Sequence, residues 1–394
     1  MKKIGILTEY YNSTNYGGNL QAYALCRYLN NQGYCSEQIQ YEKTISGKNE
    51  NVGFVSRLIG KISDEGLWLF FTNRLKSLVE KILKKTIAKN DYISAINRKK
   101  AFLEFNKGIP HGQNIYLDDN TCDLNEIYDV FVVGSDQVWR DIRNKAYFLG
   151  FVDKTIPKIS YAASVSRDEL TEEEKDFFSA SLKSFKAISV REKETVELLN
   201  GLVERPTEWV VDPTLLLSKN EWDEVCGDRI VKDDYIFAFF IGEGIYNRRT
   251  VVEYAKRTNR IIVTIPYLRG KVDTCDYFGF SSRDVIKLFD VSPNDFISLI
   301  RYADCVFTDS FHASVFSIIY EKQFFVFDRP ERKSMSSRIR SLLDLYDIPE
   351  RFCKQKGRKR IRYIEELASI DYSLKRDKAD RLIDISKQFL YKNI

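Results

Sequence analysis

KIGILTEYYNSTNYGGNLQAYALCRYLNNQGYCSEQIQY, residues 3–41, is the stretch that decides the fold. Lys3–Leu7 is a short apolar run of strand length. A polar loop, Thr8–Gly18, follows it. A helical segment then runs from about Asn19 to Asn31, with Leu20, Ala24 and Leu25 recurring near the 3.6-residue period. Gly33 ends that helix, and Glu37–Tyr41 supplies the next strand. Strand, helix and strand in this order predict a parallel sheet.

The alternation continues outward. Val130–Val133, Lys158–Ala162 and Ala187–Val190 read as further strands, and Val210-Val211 runs into Asp212-Pro213 as a strand end and turn. A helix around Asn220–Val225 leads to a second series with strands Tyr235–Ile241, Ile261–Ile265, Cys305–Thr308 and Phe324–Phe327. Within it Ser292-Pro293-Asn294-Asp295 opens a helix, with Ser as N-cap, Pro at the first position and an acid in the first turn. A chain of 394 residues has room for two domains. The sequence therefore predicts an α/β protein with an N-terminal domain over 1–229, a C-terminal domain over 230–394 that ends in helices, and an active site in the cleft between them.

Composition narrows the class. With 44% hydrophobic and 30% charged residues the chain is globular. Ile4–Leu7 is too short for the apolar part of a secretory signal, and no apolar run reaches the ~18 residues of a membrane span. The seven cysteines are scattered without a CxxC pair, so neither a metal site nor a disulfide framework is expected, and a cytoplasmic location is. A net charge of +5 is too mild to suggest a nucleic-acid partner. The basic residues are uneven, however, and Arg57, Lys61, Arg74, Lys76, Lys84, Lys85, Arg98 and Lys100 crowd one segment. There Gly53–Ile96 breaks the strand–helix alternation, and a helical insertion of about 53–107 in the first domain is expected. Its amphipathic helices either dock on an anionic membrane face or pack on their own sheet with lysines outward.

In open α/β sheets ligands bind beyond the carboxyl ends of the strands. Asn15-Tyr16-Gly17-Gly18-Asn19 follows the first strand, and its glycines allow backbone N–H groups near a helix start to approach an anion or a sugar hydroxyl. Gly134-Ser135-Asp136-Gln137-Val138-Trp139 follows Val130–Val133; it offers Asp136 and Gln137 to hydroxyls and Trp139 to a sugar face, or else a capped helix with Trp139 in the core. Arg191, at the end of Ala187–Val190, must meet an anion, which is either a ligand or Glu192 or Asp212. His312 in Thr308–Ser314 stands at a strand-to-helix junction, where it either shuttles a proton or is a satisfied structural histidine. Ser336-Ser337 caps a helix with Arg338 and Arg340 in its first turns, against the helix dipole, which hints at a bound anion.

Seven segments in order resemble the polysaccharide pyruvyl transferase family: NYGGNLQAYA at 15–24, FVVGSDQVWR at 131–140, YAAS at 161–164, ISVRE at 188–192, VDPTLL at 211–216, TDSFHASVFS at 308–317 and SRIRSL at 337–342. The resemblance implies two Rossmann-like domains facing a cleft, similar to the GT-B type, with the acceptor on the N-terminal side and the donor on the C-terminal side. It implies transfer of the enolpyruvyl carbons of phosphoenolpyruvate to two sugar hydroxyls as a cyclic ketal, with release of phosphate. No cofactor or metal is called for, and the acceptor is expected to be a lipid-linked glycan precursor at the inner face of the membrane.

By the same resemblance Arg191 matches a donor-binding arginine, and His312 matches the family's histidine, a candidate for the acid that protonates the donor or for the contact to its phosphate; Ser310 and Arg338 are expected beside the donor. Ser310 stands where some members carry an arginine, a charge that Arg338 replaces. Gly18 and Asn19 stand where some members carry an acid, which leaves the base unassigned with Asp136 the nearest alternative. Asn15, Gly17, Gly18, Asn19, Gln137 and Trp139 fall on the acceptor side. Two other readings stay open: a nucleotide-sugar glycosyltransferase of the GT-B type, with Glu321 as a ribose ligand, and an inactive glycan-binding relative.

Overall fold

The computed structural model describes residues 2–42, 96–118, 120–267, 274–329, 337–355 and 357–394. Most of the expected insertion over 53–107 lies outside these residues; its last part, 96–106, is helix. Ser336, the expected helix cap, also lies outside them.

Among the described residues thirteen strands form two parallel sheets. The first contains β1 (Lys3–Leu7), β2 (Cys35–Tyr41), β3 (His111–Tyr116), β4 (Val130–Val133), β5 (Lys158–Ala163), β6 (Ala187–Val190) and β7 (Thr207–Trp209), in the order β3-β2-β1-β4-β5-β6-β7. The second contains β8 (Tyr235–Phe239), β9 (Ile261–Thr264), β10 (Val285–Lys287), β11 (Cys305–Thr308), β12 (Gln323–Phe327) and β13 (Phe352–Cys353), in the order β10-β9-β8-β11-β12-β13. Central strands such as β4, β8 and β11 are buried along their whole length, as sheets covered on both faces require.

Local sequence explains the helices that frame the cleft. Ser292 and Asp295 form a reciprocal capping box in front of helix Pro293–Arg301, and Ser218 and Glu221 do the same for Lys219–Asp223. The first helix is longer than its sequence suggests. It spans Tyr16–Asn31 and takes Gly17 and Gly18 into its first turn. Its N-terminus is wedged against the second domain, so small residues there serve packing and not a loop. Tyr16 shows how close the fit is. Its ring stacks on Phe296 at 4.6 Å and stands edge-on to Phe239 at 5.8 Å, and its hydroxyl donates to the Val291 carbonyl at 2.9 Å.

The last helix, Asp377–Asn393, returns to the first sheet. Ser386 Oγ accepts from Val211 N at 2.9 Å, Lys186 Nζ donates to the Asn393 carbonyl at 2.7 Å, and Phe389 lies against Tyr161. Among the described residues no helix is long and apolar enough to cross a membrane.

Candidate active site between the sheets

Each sheet has a point where its strand order reverses, between β1 and β4 in the first and between β8 and β11 in the second. Ligands of such sheets bind outside the carboxyl ends of the strands at that point. Here the two points face each other. The first turn after β1 meets the first turn after β11, and a Cβ built on Gly17 would lie 1.8 Å from Nδ1 of His312.

On the second sheet, Asp309 follows β11 and ties the neighbouring loop down. Its carboxylate accepts from Ile241 N at 2.8 Å and Gly242 N at 2.9 Å. Ser310 is the N-cap of helix Phe311–Ile319, and its hydroxyl accepts from Ala313 N. This places His312 in the first turn of that helix, buried, with Nε2 pointing at the first domain. Nε2 lies 3.6 Å from Oδ2 of Asp212 and has no hydrogen-bond partner.

On the first sheet, Asp136 follows β4, Arg191 follows β6 and Asp212 follows β7. Arg191 is buried and donates from Nη1 to Asp212 Oδ2 at 2.7 Å; it pairs more loosely, at 3.4 Å, with Asp136 Oδ1 and Glu192 Oε1. Phe311 of the second domain covers its guanidinium at 4.4 Å. The carboxylates therefore supply the anions that a buried arginine demands, and they raise its pKa although burial acts the other way.

Asp212 is the hub of the cluster. It is buried and accepts from Thr214 N at 3.0 Å, Thr214 Oγ1 at 2.7 Å and Ser135 Oγ at 3.3 Å, besides facing Arg191 and His312. Burial alone would raise its pKa, but His312, Arg191 and Thr214 hold the carboxyl well below the usual range.

Arg338, in the first turn of helix Ser337–Leu345, is buried too, and its Nε has no hydrogen-bond partner. Burial first, and then the nearby Arg191 and Arg329, hold its pKa below the ordinary arginine value, against the pull of Asp136 and Glu192. Among the described residues no carboxylate forms an ion pair with it, and Asp136 and Glu192 act on it only from further off.

The sequence-derived residues thus divide. His312, Asp136, Arg191 and Arg338 come together, with Gly17 and Ser310 beside them. Asn15 borders a smaller cavity nearby. Gly18 packs under the Glu9 carbonyl, and Asn19 is buried and spends its amide on the Ser13 and Asn15 carbonyls, so both shape the loop. Gln137 is half-buried and pairs with Arg140. Trp139 corrects the sugar-platform expectation. It is 1% exposed, stacks on Phe148 and donates to the Tyr147 carbonyl at 2.9 Å, because a large aromatic one turn past a buried strand fills the core. Glu321 sits at the far end of the His312 helix and pairs with Arg376 at 2.7 Å.

Two residues were not assigned from sequence. Asp212 read as a turn residue or a counter-ion, although its segment VDPTLL was one of the seven. Arg98 read as one of many lysines and arginines in a basic stretch, yet it is buried and walls the cavity between the domains. A roomier cavity of about 460 Å³ lies at the opposite, amino-terminal end of the second sheet, beside Ile236, Cys305 and Gln323, away from this cluster.

A family model described as polysaccharide pyruvyl transferase matches residues 15–330, from the rim of the cavity past the His312 helix. The chain belongs to the polysaccharide pyruvyl transferase family. Membership places it among transferases that act on polysaccharides. No curated protein matches the chain. Among solved structures it is similar to the UDP-GlcNAc 2-epimerase of Methanocaldococcus jannaschii, at 10% identity and a TM-score of 0.52, over 98% of this chain and 99% of that one. It is also similar to a putative UDP-N-acetylglucosamine 2-epimerase from Listeria monocytogenes, at 10% identity and a TM-score of 0.51, over 100% and 97%. These likenesses show the fold: two Rossmann-like domains in the GT-B arrangement, as expected from sequence.

Proposed function

We propose that this pyruvyl transferase family member moves the enolpyruvyl group of phosphoenolpyruvate onto two hydroxyls of a sugar in a surface-polysaccharide precursor, forming a cyclic ketal and releasing phosphate. The observation that carries it is the pair of buried nitrogens without hydrogen-bond partners, His312 Nε2, which faces Asp212 at 3.6 Å, and Arg338 Nε, in one cluster with Asp136. An acid and an unsatisfied cation beside carboxylates suit a donor that must be protonated on carbon while its own anions are held.

In this mechanism Arg338 takes one donor anion. Arg191 takes the other by exchanging its 3.4 Å pairings with Asp136 and Glu192 while keeping the 2.7 Å bond to Asp212. His312, oriented by Asp212, protonates the donor methylene carbon, which becomes the methyl group. The first sugar oxygen bonds the adjacent carbon, and Asp136, freed from Arg191, accepts its proton and restores that of His312. The bond from this carbon to the phosphate oxygen then breaks, phosphate leaving with the electron pair. The second sugar oxygen closes the ketal and its proton goes to phosphate. One hydroxyl proton ends on the methyl group and one on phosphate, so no other reactant is consumed.

The acceptor proposed is a lipid-linked glycan reached at the inner membrane face. The test is product identity: incubation with phosphoenolpyruvate and a glycan panel should yield a glycan heavier by a pyruvate ketal together with free phosphate. Transfer from a nucleotide sugar, with release of nucleotide, would replace this function by glycosyl transfer.

A further inference from the structure

Beside the Arg191 cluster lies a second cavity, about 150 Å³, in the seam between the domains. Asn15, Tyr16 and Gly17 wall it with the first turn of a 16-residue helix, and Ser310 walls it with the N-cap of a nine-residue one. The first N–H groups of a helix have no partner within it, and Asn15 supplies no side-chain cap to the longer helix. Both N-termini carry partial positive charge toward the same space.

Arg98 is the independent observation. It is 4% exposed and lines this cavity. Nε donates to the Phe289 carbonyl at 2.5 Å and Nη1 to the Pro266 carbonyl at 3.0 Å, which fixes the guanidinium across the seam. Nη2 is buried with no hydrogen-bond partner, and among the described residues no carboxylate pairs with Arg98. A buried guanidinium that lines the same cavity as two helix N-termini, with one nitrogen lacking a hydrogen-bond partner, is stabilised by an anion that joins it.

The geometry points to an oxyanion pocket at Arg98 that takes a small carboxylate or phosphate. The volume, about 150 Å³, suits a group the size of a carboxylate or a phosphate. Gly17 belongs to this wall and also touches the His312 ring, so the pocket opens beside the acid of the proposed reaction. Resting on the pyruvyl-transfer reading, Arg98 is a further donor-binding residue that shares one of the two phosphoenolpyruvate anions with Arg191 or Arg338.

Calorimetric binding of inorganic phosphate, pyruvate and phosphoenolpyruvate would be compared for wild type, Arg98→Gln and Thr14→Glu. Thr14 is exposed on the same wall, so its replacement adds a repelling carboxylate without touching the core. The expected result is binding weakened tenfold or more in both variants. Phosphate as the affected ligand would assign the phosphate end, and pyruvate the carboxylate end. Unchanged affinity for all three ligands in folded Thr14→Glu and Arg98→Gln would overturn the pocket. Ketal formation with an unaltered KM for phosphoenolpyruvate in both variants would overturn it too, while leaving pyruvyl transfer intact. Arg98-dependent phosphate binding without turnover of any acceptor would uphold the pocket and count against pyruvyl transfer.

Discussion

His312 Nε2 stands 3.6 Å from Oδ2 of Asp212, although one residue lies in the first turn of a helix of the second domain and the other in the turn that follows a strand of the first. The contact makes the candidate site a property of the assembled pair of domains. Asp212 also holds Arg191 at 2.7 Å, so one carboxylate positions both the proposed acid and a proposed donor ligand.

Removing that carboxylate should cost both stability and activity. Asp212→Ala leaves Arg191 buried with only its 3.4 Å pairings, and a loss of about 3–5 kcal/mol is expected in denaturant unfolding. The pH dependence follows from its depressed pKa. The stabilising contribution is complete above the unfolded value of about 3.9 and is lost as pH falls below it toward the folded value. Wild type should thus lose stability steadily below about pH 4, whereas Asp212→Asn should show a shallower acid limb. Equal slopes in urea titrations would remove Asp212 from this role.

Gly17→Ala tests the contact between the first turns. Helix propensity alone would favour alanine by about 1 kcal/mol, yet its Cβ would overlap the His312 ring, 1.8 Å from Nδ1. A net loss of about 1–3 kcal/mol is expected, together with a fall in kcat. The double variant Gly17→Ala/His312→Ala should recover most of the stability and none of the activity, which a double-mutant cycle reads directly.

Arg338→Met should separate binding from folding. Removing a buried, undercompensated cation should leave the free protein as stable or up to about 4 kcal/mol more stable. Donor affinity should fall by roughly 10–100-fold, as loss of a charged hydrogen bond predicts. Thermal melts with and without phosphoenolpyruvate would show both effects; strong destabilisation of the free protein would mean that Arg338 serves packing.

Trp139→Ala should destabilise by about 3–5 kcal/mol because the indole fills the core. Trp139→Phe, which keeps the ring packing and loses the bond to the Tyr147 carbonyl, should leave the KM for a glycan acceptor unchanged. A selective rise in that KM would put Trp139 back among the acceptor contacts.

The strand-end rule made much of this cluster legible. His312, Arg191 and Asp136 each stand just past a short, buried apolar run, and the order of those runs placed them in two facing sheets. Other parts depend on contacts between distant segments. Asp212 looks like a turn residue because its partners Arg191, Ser135 and His312 lie on other strands and on the other domain. Arg98 looks like one more surface cation until the chain is folded over it. The first helix read three residues short because two glycines suggest a loop, and the ring that excludes a side chain at Gly17 comes from the second domain. β3, with its polar HGQNIY, is a partly exposed edge strand and carries no apolar run to announce it.

The most direct test is phosphate release from phosphoenolpyruvate, measured with and without galactose-, glucose- and N-acetylmannosamine-containing acceptors, in wild type, His312→Ala and Arg191→Ala. Acceptor-dependent release by wild type that falls at least a hundredfold in both variants, in the range expected for loss of a positioned acid, is the predicted result. Release undiminished in His312→Ala, or wild-type protein that fails to bind phosphoenolpyruvate, would contradict the proposed chemistry.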